Sequence, residues 1–171
     1  MRKALFLDRD GILNKVVIRE GVISSPRSLD EFEINEDARS LIGSGNRAGY
    51  TVVVVTNQPD VERNLLDTRT LEQMHDKLRT ELGIEFIQVC TSTNDADPRR
   101  KPNPGMLLDA ARELQIDLGR SLFVGDGKRD LAAGRGAGVT TILLKTSYNI
   151  EEQTIADHAV DLLDDVSLYF R

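Results

Sequence analysis

Five short apolar runs punctuate the chain: ALFLD at residues 4 to 8, TVVVVT at 51 to 56, FIQVCT at 86 to 91, SLFVG at 121 to 125 and TTILLK at 140 to 145. Each is strand-sized and gives way to turn chemistry or polar residues. Between the runs, apolar residues recur at helical spacing. Ala38, Leu41, Ile42 and Ala48 form one such stripe; Leu71, Met74, Leu78 and Leu82 form a second; Leu107, Ala111 and Leu114 form a third. Strands alternating with amphipathic helices predict an α/β fold, a doubly wound, Rossmann-like parallel sheet with helices on both faces. Asn103 before Pro104 predicts a helix that opens there, with a capping amide followed by proline at the first helical position. The segment KVVIREGVISSP reads as two short strands turning at Glu20-Gly21, a small hairpin flap after the first strand. Residues 150 to 171 are acidic, with a helical pattern ending in LYFR, and are expected to dock on the sheet.

Composition narrows the function classes. The chain has 171 residues, 40% of them apolar, which suits one domain around one core. Its 22 basic and 28 acidic residues leave a net charge of -6, which argues against nucleic-acid or anionic-membrane partners. Any bound anion must be held locally. A single cysteine, Cys90, precludes an internal disulfide and fits a reducing compartment. The N-terminus meets aspartate too early for a secretory signal, and no apolar run approaches the ~20 residues of a bilayer span, so a cytoplasmic protein is expected.

In open parallel sheets, ligands bind at the carboxyl ends of the strands, so polar residues that end apolar runs are the candidates. The first run ends in Asp8 and Asp10, the second in Thr56 and Asn57. The loop after the third carries Arg100 and Lys101, and the fourth ends in Asp126, with Asp130 following. Each alone has a plainer reading. Asp10-Gly11 and Gly125-Asp126-Gly127 are ordinary turn sequences, and Arg100-Lys101 is an ordinary charged pair. Together they place four carboxylates, a hydroxyl, an amide and two cations at or just after four strand ends. Carboxylates with a carbonyl make a hard oxygen site for Mg²⁺, which normally shares a substrate phosphate. A hydroxyl and a lysine suit the remaining phosphate oxygens. Asp8 then reads as a nucleophile and Asp10 as acid and base.

Four strings in order, FLDRDGILN, VVVTNQ, RRKPNPGM and VGDGKRD, resemble the motifs of the haloacid dehalogenase superfamily of phosphohydrolases. The likeness runs from about residue 4 to 145. Within the superfamily the extended strings are similar to those of the heptose bisphosphate phosphatase and histidinol-phosphatase families. The resemblance implies an aspartyl-phosphate on Asp8, with Asp10 protonating the leaving alcohol and later deprotonating water. Thr56, Asn57 and Lys101 would bind phosphate. Asn14, Arg100 and Lys128 would contact substrate. Mg²⁺ would rest on Asp8, the Asp10 carbonyl and Asp126, with Asp130 auxiliary. Since Asp10 must carry a proton for the first step, its pKa is expected to lie above that of Asp8.

Two departures bear on this likeness. The resembled families carry a zinc loop before the third motif, where this chain reads CTSTNDADPRRKP. Cys90 stands at the first ligand position, and Ser92, Asp97 and Arg99 occupy the others, so no zinc is expected. After TNQ the chain continues PDVERN, where the relatives have small residues. Neither residues 11 to 50 nor 59 to 98 leave room for a cap domain, so the expected site is open and capless. Lys15, Arg19 and Arg27 on the flap are candidate anion contacts, though ordinary surface charge is preferred for each. His75 and His158 stand alone and are read as structural. The expected substrate is a phosphorylated sugar, most plausibly a heptose 1,7-bisphosphate. The rivals are histidinol phosphate, a nucleic-acid 3'-phosphate, and a receiver-like phosphoacceptor domain with no turnover.

Overall fold

The computed structural model describes all 171 residues. Six parallel strands form one sheet: β1 (Lys3–Leu7), β4 (Tyr50–Asn57), β5 (Phe86–Cys90), β6 (Leu122–Gly125), β7 (Thr140–Leu144) and β8 (His158–Val160). Their order across the sheet is β5-β4-β1-β6-β7-β8. β2 (Val17–Arg19) and β3 (Val22–Ser24) pair antiparallel as the flap, with Glu20 and Gly21 both at positive φ in the turn between them. Four helices fill the crossovers: α1 (Ala38–Arg47), α2 (Thr68–Leu82), α3 (Gly105–Leu114) and α4 (Lys128–Ala137).

The two-residue period of the strands sorts their side chains into two cores. Leu5, Leu7, Val52, Val54, Leu122 and Val124 face α1 and α2, meeting Leu41, Ile42, Leu71, Met74 and Leu78. Ala4, Phe6, Val53, Val55 and Phe123 face the other way, onto Met106, Leu107 and Ala110 of α3 and Ala133 and Ala137 of α4. Register locks the alternation, because Leu5 lies opposite both Val52 and Leu122, and Phe6 opposite Val53 and Phe123. A slip of one residue would turn both cores inside out.

Strand order reverses at β1. The chain runs outward through β4 and β5, then returns past β1 to β6. The crevice at such a switch point lies at the carboxyl end of β1, flanked by the ends of β4 and β6. That geometry alone brings Asp8, Asn57 and Asp126 into one neighbourhood.

Two local expectations are corrected. Residues 150 to 171 are not one helix: they form two 3-10 segments, Glu151–Thr154 and Leu163–Tyr169, with the edge strand β8 between them. Three residues are too few for periodicity to show. The segment does dock, with Leu163 and Val166 buried and Tyr169 and Phe170 packed on the first core. The helix near residue 103 begins at Gly105, with Pro104 at the cap position. Asn103 is engaged elsewhere, its amide donating to the carbonyls of Asp95 and Asp97 at 2.9 and 2.8 Å.

Candidate active site

The motif residues converge on a cleft of about 450 Å³, walled on one side by the flap and on the other by the loop after β7. Asp8, Asp10, Asn57, Lys101, Asp126, Lys128 and Asp130 all line it. Thr56, Asn14 and Arg100 do not. Thr56 is 1% exposed, its hydroxyl accepting from Gln58 Nε2 at 2.9 Å. Asn14 is fully buried and donates to Asp10 Oδ1 and the Lys15 carbonyl. Arg100 turns back into its own loop, donating to Asp95 Oδ1 at 3.0 Å and the Ser92 carbonyl at 2.8 Å. Both side chains are engaged within the protein, Asn14 on Asp10 and Arg100 on its own loop.

Lys101 is the centre of the charge arrangement. Its ammonium donates to Asp8 Oδ1 at 2.8 Å, Asp130 Oδ1 at 2.7 Å and the Val55 carbonyl at 2.8 Å. Burial works against its charge, but Asp130 and Asp8 outweigh that and raise its pKa above the usual lysine range. Its backbone is clamped by Asn57, whose side chain accepts from Lys101 N at 3.0 Å and donates to Lys101 O at 2.9 Å. Asn57 thus fixes the lysine, where the sequence suggested phosphate.

Asp130 caps α4. One carboxylate oxygen takes the amides of Asp126 and Gly127, each at 3.2 Å, while the other holds Lys101. A Cβ on Gly125 would meet Asp130 Cβ at 2.4 Å, so this close approach requires glycine. Gly11 is similarly constrained: its φ is +87°, and an added Cβ would lie 2.0 Å from Asp126 Oδ2.

The two aspartates of the first motif have opposite surroundings. The pKa of Asp8 is raised well above the carboxylate range, chiefly by burial and then by the neighbouring Asp130 and Asp126, against the pull of Lys101. Asp10 is buried too, but donors surround it. Arg9 Nε and Nη2 and Asn14 Nδ2 reach its Oδ1, while Ser25 Oγ and Gln58 Nε2 reach its Oδ2, all between 2.8 and 3.1 Å. These outweigh burial and lower its pKa. The expected ordering is therefore reversed in this conformation. Burial raises both carboxyls, and only Asp10 has enough donors to overcome it.

Arg9, Ser25 and Gln58 were not singled out in the sequence. Neither were Tyr148, whose hydroxyl donates to Asp126 Oδ2 at 2.5 Å, and Asn149, whose amide donates to the Asp126 carbonyl at 2.8 Å. Asp126 is raised to about 7 by burial and by Asp130, with the Tyr148 bond acting against them. Tyr148 and Asn149 follow the fifth apolar run, so the same strand-end rule points to them.

Magnesium fits this donor set. Asp8, Asp126 and Asp130 place carboxylate oxygens within 4.8 Å of one another. Lys101 alone among cationic side chains bonds to them, so the cluster carries an excess of negative charge in a buried place. Zinc does not fit the loop before Lys101. Cys90 is buried in the second core, Ser92 Oγ and Asp97 Oδ1 accept from the amides of Asn94 and Arg99, and an arginine is no metal ligand. The flap cations are also committed: Lys15 to Glu33, Arg19 to Glu31, and Arg27 to Asp60 at 2.8 Å.

Known proteins are similar to this chain in sequence and in fold. Residues 98–167 match the HAD-hydrolase-like family. A D-glycero-beta-D-manno-heptose-1,7-bisphosphate 7-phosphatase of Helicobacter pylori is 36% identical over 153 residues, covering 84% of this chain and 83% of its own. The chain belongs to the heptose bisphosphate phosphatase family of the haloacid dehalogenase superfamily. An alpha-anomer-named member from Burkholderia mallei is 33% identical over 92% of this chain and 87% of its own. The D,D-heptose 1,7-bisphosphate phosphatase of B. bronchiseptica, solved with magnesium and phosphate, superposes with a TM-score of 0.82 at 31% identity, over 97% of this chain and 96% of that one. Family membership accounts for the switch-point cleft and for the fold, which is that of phosphatases in this superfamily.

Proposed function

We propose that the protein is a Mg²⁺-dependent phosphatase that removes the 7-phosphate of D-glycero-D-manno-heptose 1,7-bisphosphate through an aspartyl-phosphate on Asp8. The observation that carries this reading is the convergence of Asp8, Asp10, Lys101 and Asp126 in one cleft of a chain whose relatives, named for that reaction, match over more than four-fifths of its length. Asp8, Asp126 and the Asp10 main-chain carbonyl would hold the ion, with Asp130 auxiliary. When bound, the ion offsets the negative charge that keeps a carboxylate from approaching a phosphate.

The side chains then divide the work. Asp8 Oδ forms the bond to phosphorus while the ester oxygen leaves with a proton from Asp10. Water next attacks phosphorus, passing its proton to Asp10 as the bond to Asp8 breaks. Lys101 keeps a positive charge 2.8 Å from Asp8 Oδ1 throughout. Thr56, buried behind the cleft, accepts from Gln58 Nε2, the nitrogen that also donates to Asp10 Oδ2, and so supports Asp10. The donors around Asp10 favour its ionised form, which activates water, so the protonated form that starts the reaction has to be reached as substrate enters. One of the bonds that favour the ionised form comes from Ser25 at the base of the flap. Lys128, exposed at the cleft, is placed for an anionic or hydroxylated part of the leaving group.

No helix is long and apolar enough to cross a membrane. The lone thiol of Cys90 suits a reducing cytoplasm. The cleft's carboxylates and the net charge of -6 disfavour a nucleic-acid substrate. The reading is tested by phosphate release with Mg²⁺ from both anomers of heptose 1,7-bisphosphate, hexose phosphates, histidinol phosphate and a 3'-phosphorylated oligonucleotide. The highest kcat/KM is expected on a heptose bisphosphate. Faster turnover of histidinol phosphate would overturn the substrate while leaving the chemistry intact.

A further inference from the structure

The loop of residues 91 to 104 delivers Lys101 to the cleft, yet its tip, from Thr93 to Ala96, is exposed and contributes nothing to either core. Its residues also provide no set of metal ligands. What closes it is a polar staple built on one carboxylate oxygen. Asp95 Oδ1 accepts from Arg100 Nε and from Arg129 Nη1, both at 3.0 Å. Arg100 belongs to the loop itself, whereas Arg129 projects from the first turn of α4. The same Arg129 nitrogen donates to the Lys101 carbonyl at 2.9 Å. Asn103 closes the circuit by donating to the Asp95 and Asp97 carbonyls.

The Arg100 side chain is 8% exposed, so its desolvated charge needs a counterion. Asp95 supplies it from a carboxylate that is itself 69% exposed. On the inner side Lys101 is held by Asn57; on the outer side its carbonyl is tied through Arg129 to Asp95, while Glu62 accepts from Thr93 N and Arg99 donates to Gln88 and the Val89 carbonyl farther along the loop.

We propose that Asp95 is a positioning residue, which through Arg129 and Arg100 holds the Lys101 loop against α4 in place of a metal centre. The inference rests on the reading of Lys101 as the phosphoryl-binding lysine. Displacing a charged group by a fraction of an ångström from its working position is expensive in rate, so a residue at the loop's outer edge reaches the chemistry through geometry. Asp95 is itself exposed, so its loss uncovers no core, but it leaves the Arg100 guanidinium with the Ser92 carbonyl as its remaining partner.

The test uses the full chain with Mg²⁺ and reads turnover of a phosphate monoester together with competitive inhibition by inorganic phosphate. Asp95→Ala is expected to lower kcat/KM roughly tenfold or more and to weaken phosphate inhibition in step, with the circular-dichroism spectrum at the assay temperature unchanged. Asp95→Asn, which keeps an accepting oxygen, is expected to recover part of the loss. The double variant Asp95→Ala with Arg129→Met is expected to lose less than the product of the two single losses, because part of the Asp95 effect runs through Arg129. High ionic strength should weaken phosphate inhibition of the wild type more than that of Asp95→Ala. Wild-type kinetics in Asp95→Ala, or losses that multiply in the double variant, would overturn the proposal. So would one equivalent of zinc retained through dialysis against a chelator. Absence of any turnover by the wild type would count against the phosphatase reading instead.

Discussion

Asp8 sits among carboxylates with one ammonium for company, while Asp10, two residues on, accepts five hydrogen bonds from four side chains. The asymmetry predicts a trade between stability and activity. Replacing Asp8 with asparagine removes a charge that burial opposes, and removes the nucleophile. An acid whose folded pKa is raised costs stability as pH climbs through and above its ordinary range, because the unfolded chain gives up the proton more readily. In the absence of divalent cations, Asp8→Asn should therefore melt at or above the wild-type temperature, with the gap widening from pH 4 to pH 7 by calorimetry. Its phosphate release should fall by roughly a thousandfold or more. Near-normal turnover would sink the mechanism. The motif aspartates and Lys101 were legible because strand ends are where an open sheet binds ligands. The shell around Asp10 was not. Arg9 is fully buried, over the Phe32 ring at 5.3 Å and against Met74, and nothing in a lone arginine after aspartate announces that. Ser25 is brought in by the flap, a tertiary contact with no local signal.

At the level of elements, α2 shows both a legible feature and a hidden one. Leu71, Met74, Leu78 and Leu82 are buried as their spacing predicts, Asp67 caps the start by accepting from Thr70 N, and Gly83 ends the helix at φ 67°. His75 lies on the same helix and is also buried, with Nε2 lacking any partner. Burial, and then the Arg9 charge, lower its pKa to about 4. The sign follows directly. A histidine kept neutral in the fold and protonated in the unfolded chain below about 6.5 contributes stability that is complete above that pH and is lost as pH falls toward 4. Between pH 7 and 4, urea unfolding should show the wild type losing up to about 3 kcal/mol more than His75→Leu. Parallel pH profiles for the two proteins would show that the ring is not held neutral. The elements that escaped prediction failed for identifiable reasons. β8 is three residues long, and Asn103 lost its capping place because its amide is drawn to the Asp95 and Asp97 carbonyls.

For the whole molecule, the crowding of Asp8, Asp126 and Asp130 links the ion to the fold. An ion that binds only the folded chain stabilises it in proportion to the logarithm of its excess over Kd. At about a hundredfold excess, Mg²⁺ should raise the melting temperature by roughly 5–10 °C, and Asp126→Asn should abolish most of that shift. An equal shift in the variant would place the ion elsewhere. We also propose that the chain unfolds as a single domain, because both cores share one sheet. Circular dichroism and Tyr fluorescence should then trace one coincident transition; two separated transitions would refute it. The sheet and its covering helices were legible at this scale because the alternation of apolar runs and stripes is long-range and repetitive. The orientation of Arg100 and the grip of Asn57 on Lys101 were not, since both depend on where separate loops meet.

The docking of the last segment has a further consequence, for the order in which the molecule is made. Val160, Leu163 and Val166 finish the core that α1 begins, and the amide of Arg171 bonds to the Tyr50 hydroxyl across 121 positions of sequence. During synthesis from the N-terminus, β1, α1 and β4 emerge early with part of their apolar face uncovered, and it stays uncovered until residues 158 to 170 are made. Until then the layers over this face of the sheet are incomplete. The stretch that carries none of the motif residues is thus the one that covers this face of the sheet.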